Sequence, residues 1–165
     1  MNIIMKNFSC SICGLKLDKD IHSFPPFVAN LKDPLYKYGD TSFHSNCLEN
    51  NEGKKAIELS ERSLFHIKPV NRICKIDGNL ITDPDDYLFI PLLTSNENEE
   101  LYKFNFLTFS KKNIKKWPNG NKFIEVADDF IKEGKWLDTS EFKFLNHLIQ
   151  EVSIGNDSNY GDRSN

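Results

Sequence analysis

The sequence lacks any apolar run approaching the roughly 20 residues that a helix needs to cross a bilayer. Its opening, Met1 to Asn7, lacks the long apolar region and cleavage site of a secretory signal, so a cytoplasmic chain without membrane contact is the expectation. Paired carboxylates, a glycine-rich phosphate loop and a Ser/His/Asp pattern at readable spacing are all missing, which argues against the common hydrolase and nucleotide-hydrolysing classes. Cysteine is scarce, at 4 residues, and in a reducing compartment so few thiols point to metal or isolated thiols and away from a disulfide framework. Strong charge of one sign is also missing: the formal net charge of -3 selects no class of partner. What is present in quantity is phenylalanine, 13 residues in a chain of 165, so the core should be aromatic-rich. That length suits one domain, or two small units sharing a core.

Half of the histidines and most of the cysteines are in the first third of the chain, where three of these cysteines and one histidine form two pairs at ligand spacing. "CSICG" sets Cys10 and Cys13 two residues apart before Gly14, so that both thiolates of one tight turn can reach a single ion. "FHSNC" supplies His44 and Cys47 at the same spacing. Three sulfurs and one imidazole make a closed tetrahedral set that suits one structural zinc and leaves no position for an activated water. A thioredoxin-like redox pair is the weaker reading, because the polar "LKLDKD" follows Gly14 where a helix should start. His22 lies between the pairs without a cysteine partner, and His66 and His147 sit in apolar surroundings that suit structural roles.

A C-x2-C, a long excursion carrying strands, and then Phe-His-x2-Cys at the start of a helix resembles a treble-clef zinc module, and locally half of a LIM domain. The resemblance covers Cys10 to Asn50. It implies a metal-pinned hairpin followed by a helix, and among enzymes it points to nucleases of the His-Asn-His type. With His44 already claimed by the structural set, a nuclease is the least favoured reading.

The phrase "LYKYGDTSFHSNC" returns as "LYKFNFLTFSKKN" without its ligands. Cys10, Ile12 and Gly14 recur as Cys74, Ile76 and Gly78; Phe24 and Pro26 as Phe89 and Pro91; Leu35, Tyr36, Lys37 and Phe43 as Leu101, Tyr102, Lys103 and Phe109. The interval lengthens by single residues, as in duplicated modules. The four ligand positions of the second copy read Cys74, Asp77, Ser110 and Asn113, a set too weak to hold structural zinc. Cys74 is then a buried remnant with an inert thiol.

The expected fold is α+β: two tandem treble-clef-like modules, the second without metal, packed with C-terminal helices. The expected divisions are 1–66 for the zinc module, 67–134 for the degenerate copy, 135–152 for a C-terminal helix and 153–165 for a disordered tail. Strands are expected over "PLYKYGDTSFH", "DYLFIPLLT" and "ELYKFNFLTF". Helices are expected from Ser45 to about Arg62 with a break near Gly53, from Lys111 to about Trp117, over "KFIEVADDFIKEG", and after an Asp138 N-cap with Glu141 completing a capping box.

Lys103, Lys111, Lys112, Lys115, Lys116 and Lys122 fall together without an acid, around Trp117. Lysines interleaved with aromatics suit a nucleic-acid surface, with contacts from Lys111, Lys112, Lys115, Lys116 and Trp117. The leading functional expectation is nonetheless a non-enzymatic zinc-binding protein whose partner is another protein, as an adaptor, a regulator or the immunity partner of a toxin.

Overall fold

A computed structural model describes residues 8–157, with side chains through 154. It is a mixed α/β arrangement of two small antiparallel sheets and three α-helices joined by short 3-10 turns. Strands β1 (Ile21–Ser23) and β2 (Ser42–His44) pair as one hairpin, with His22 opposite Phe43. Strands β3 (Tyr87–Ile90) and β4 (Leu107–Ser110) pair as the other, with Leu88 opposite Phe109. In each hairpin a fully enclosed phenylalanine, Phe43 or Phe109, anchors the returning strand.

The strands are shorter than expected. Tyr36–Tyr38 and Glu100–Phe104 are 3-10 turns, so only the ends of the two repeated phrases are extended. In the first phrase the cause is local: the Asp33 carboxylate accepts from the Leu35 N–H at 2.9 Å, and the next amides close back on Asp33 and Leu35. An aspartate ahead of proline and leucine thus competes with the ladder for the same donors. β3 stops at Pro91, which has no N–H to continue pairing.

Helix α1 (Asn51–Ile67) starts later and runs further than the sequence suggests. A separate 3-10 turn, Ser45–Leu48, precedes it, and the break falls at Asn50, whose side chain accepts from Gly53 N–H at 2.8 Å. Gly53 is therefore inside the first turn. A Cβ there would lie 2.4 Å from the Leu48 carbonyl oxygen, so glycine is needed for close approach and not for a break. Lys111–Lys116 is likewise a 3-10 turn, and helix α2 (Gly120–Lys132) begins at Gly120, ahead of the expected "KFIEVADDFIKEG".

Helix α3 (Phe144–Asp157) replaces the expected 135–152 helix, and its last residues, 153–157, correct the expectation of disorder there. Residues 158–165 lie outside the described residues. The capping box from Asp138 to Glu141 does not form. Asp138 instead accepts from the Phe144 N–H and the Trp136 indole, both at 2.9 Å, so it caps across a loop.

The buried side chains gather in two clusters. One, around Phe24, Tyr38, Phe43, Leu48 and Leu59, includes Cys10 and draws Leu92 and Phe106 from the second half of the chain. The other, around Phe109, Trp117, Phe123, Phe130 and Leu145, is closed by α2 and α3. Asp33 links the halves: its carboxylate accepts from the Ser95 N–H and hydroxyl, both at 2.7 Å. Asn30 adds a second link, donating to the Lys135 carbonyl at 3.0 Å and accepting from Leu137 N–H at 3.0 Å. Among the described residues no helix is long and apolar enough to cross a membrane.

Candidate metal centre

The first pair sits in a tight turn that closes through Gly14 N–H to the Cys10 carbonyl, 2.8 Å, with Gly14 at φ +72°. Only glycine takes that conformation without cost. The second pair leaves the end of β2: His44 is its last residue, and Cys47 lies one turn into the 3-10 segment. The hairpin brings this end against the turn.

Cys10, Cys13, His44 and Cys47 meet there, with their donor atoms all within 4.8 Å of one another. A tetrahedral zinc shell with ordinary Zn–S distances separates its sulfurs by about 3.8 Å, so the cluster has the size of a ligand set. His44 presents Nδ1, 3.3 Å from the Cys13 sulfur, while its Nε2 lies 3.0 Å from the Lys16 carbonyl. That second contact fixes the ring and keeps the proton on Nε2, leaving Nδ1 to ligate. Among the described residues this is the one cluster of at least three such groups that could hold an ion.

The sulfurs and the imidazole perturb one another's protonation. Burial pushes the Cys10 thiol up, but N–H groups of Cys13, His44 and Ile12 directed at its sulfur outweigh this and bring it down to about 6. Cys47 moves the other way, to about 11, through burial first and then the nearby Cys13 and Cys10 sulfurs. His44 is raised, chiefly by Cys13 and then by the Lys16 carbonyl. Three thiolates crowded together repel, and a divalent ion removes that conflict. Three sulfurs and an imidazole fit zinc; bound there, such an ion would be fully coordinated and would crosslink the turn and the hairpin.

The second set is also brought together, around hydrogen bonds. Gly78 N–H closes on the Cys74 carbonyl at 2.9 Å, with Gly78 at φ +72°. The Ser110 N–H points at the buried Cys74 sulfur, 3.3 Å away. Asn113 donates from its amide to the Asp77 carboxylate at 2.6 Å. Sequence reasoning missed Asp86, which completes the group by accepting from the Ser110 hydroxyl at 2.6 Å and from Lys112 N–H at 3.0 Å. The signal for it was slight: Asp20 and Asp86 both stand immediately before a hairpin strand. The Asn79 N–H holds Asp77 below the usual carboxylate range, and the Ser110 hydroxyl does the same for Asp86.

Lys111, Lys112, Lys115 and Lys116 lie on one 3-10 turn that ends at Trp117. Trp117 is 7% exposed, its ring 4.4 Å from that of Phe109, so the indole is enclosed and not offered to a base. Lys111 lies 3.9 Å from Glu151, and Lys122 pairs with Glu100 and Glu125. Lys103, Lys112, Lys115 and Lys116 are exposed. His22 packs on Phe24, His66 on Phe106, and His147 faces Glu151. Comparison with protein-family profiles, with curated proteins and with solved structures found no match.

Proposed function

We propose that the chain is a non-enzymatic zinc-binding protein in which one structural ion, held by Cys10, Cys13, His44 and Cys47, pins a treble-clef-like module that serves as a protein-interaction unit. The observation that carries the reading is the closed set of three sulfurs and one imidazole within 4.8 Å. Such a set has no vacancy for substrate or water, so the ion organises a surface instead of a reaction. An adaptor, a regulator and a toxin's immunity partner are all consistent with that use.

We extend the proposal to the whole chain: the second half is a copy of the module in which polar contacts stand where the ligands stand in the first. Ile21 faces His44, and in the other hairpin Tyr87 faces Ser110. The turn, glycine conformation and bridge partners match as well, Ser9 with Lys16 and Ile73 with Leu80. By this register Phe24 corresponds to Ile90 and not to Phe89. The nucleic-acid reading of the lysine-rich segment ranks second, because two of its cations are paired with acids and its tryptophan is enclosed.

The test begins with elemental analysis of protein purified without added metal. About one zinc per chain, lost in Cys13→Ser and in Cys47→Ser, is the expected result. Metal retained in either variant removes the assignment. For the interaction role, partner capture should succeed with the zinc-loaded chain and fail after chelation; capture that survives chelation would show that the zinc module is not the contact.

A further inference from the structure

A cavity of about 420 Å³ lies between α1 and β4, within the range of small-molecule sites. Its walls bring together Arg62, Phe65 and His66 from α1, Lys75 from the second turn, and Phe106 and Thr108 from the second hairpin. Cations and aromatic rings line it, and no carboxylate does; the acid that reaches Arg62 is Glu58, 4.0 Å away on the same helix.

Packing accounts for some of these residues. Phe106 belongs to the first core cluster, and the His66 ring lies parallel to it at 5.6 Å. Phe106 nevertheless holds φ +61°, a conformation that Asp40 takes at the matching point of the first half. A short polar side chain adopts it readily, whereas a bulky aromatic there is an outlier that costs stability.

Packing does not account for Thr108. It is 5% exposed, lines the cavity, and its hydroxyl has no hydrogen-bond partner. The matching hydroxyl in the first hairpin, Ser42, is 2.7 Å from the Ser23 hydroxyl across the strands, but Thr108 faces Phe89. A buried hydroxyl left without a partner is destabilising. Phe65, 55% exposed on the same cavity, is a ring with a free surface.

We propose that this cavity binds a nucleotide: an aromatic base packs against Phe65, its polar edge meets the Thr108 hydroxyl, and its phosphate lies by Arg62 and Lys75. Either a free mononucleotide or a nucleotide within a single strand supplies that chemistry. Cations neutralise the phosphate, the ring accepts any base face, and the orphan hydroxyl supplies a directional contact.

The experiment is a titration of the full zinc-loaded chain with AMP, UMP, a thymidine oligonucleotide and inorganic phosphate, followed by calorimetry and amide NMR. Shifts centred on Arg62 to Lys75 and Asn105 to Thr108 are expected with a nucleotide. Phe65→Ala and Arg62→Ala should each weaken binding about tenfold or more. Thr108→Val should weaken binding without lowering Tm, because it removes an unpaired hydroxyl. Mononucleotide binding assigns a free ligand; oligonucleotide binding alone, lost in Phe65→Ala, assigns a strand. The proposal is overturned if neither binds, if phosphate alone binds as tightly, or if binding is indifferent to Phe65 and Arg62.

Discussion

At the scale of residues, the two sets of four positions make opposite predictions. Replacing Cys13 or Cys47 by serine should release the metal and unfold much of the first half, since zinc binding in small modules carries on the order of 10 kcal/mol of folding free energy. Circular dichroism beside metal content checks this. Replacing Cys74 by alanine should leave metal content unchanged; zinc falling by half would make Cys74 a ligand. In the second set Asp77 and Asp86 are held below their ordinary range, so their contribution to stability is present above about pH 4 and is lost as pH falls through the lower folded-state values. Thermal melts from pH 6 down to pH 3 should show a shallower decline for Asp86→Asn than for the parent. An equal decline would mean that Asp86 contributes nothing through its charge. The cluster of Cys10, Cys13, His44 and Cys47 was legible in the sequence because thiolate and imidazole pairs at this spacing have few other uses. Asp86 was not, because an aspartate before a strand has many.

At the scale of elements, legibility depended on what competes with the backbone. The repeated phrases looked like long strands from their aromatic content, yet Tyr38 and Phe104 are buried through 3-10 turns, where alternate residues do not share a face. Periodicity alone does not reveal that the Asp33 carboxylate draws the amides away from a ladder. Helix α2 was legible because its apolar face, Phe123, Val126, Ala127 and Phe130, follows helical spacing. The start of α1 differs from Ser45 because a 3-10 turn follows the second pair and Asn50 caps the helix, and Gly53 serves contact inside its first turn. Two substitutions separate these roles. Asn50→Ala removes the cap on Gly53 N–H and should cost about 1 kcal/mol. Gly53→Ala should cost more, about 2–3 kcal/mol, because its methyl meets the fixed Leu48 backbone. Chemical denaturation of both variants decides the order, and a neutral Gly53→Ala would refute the close-approach account.

At the scale of the whole molecule, the halves are joined by polar side chains that sequence did not single out. Asp33 and Asn30 are 6% and 2% exposed, and each spans to the other half. Asp33→Ala leaves the Ser95 and Leu35 donors without their acceptor and should cost about 3 kcal/mol. The same variant should broaden or split the unfolding transition, because the link between the clusters is weakened; a single sharp transition at unchanged Tm would show that the apolar contacts suffice. These residues were not legible because an Asn and an Asp in a loop-like stretch usually face water.

The sharing of Leu92 and Phe106 with the first cluster also orders events during synthesis. A chain emerging from the ribosome has the whole Cys10, Cys13, His44 and Cys47 cluster once Cys47 is free, long before Phe106 arrives to close the apolar cluster that includes Cys10. An ion bound by that cluster would therefore meet a nascent chain whose core is still incomplete, and would act as a placeholder, holding the turn and hairpin in register until the second half is made.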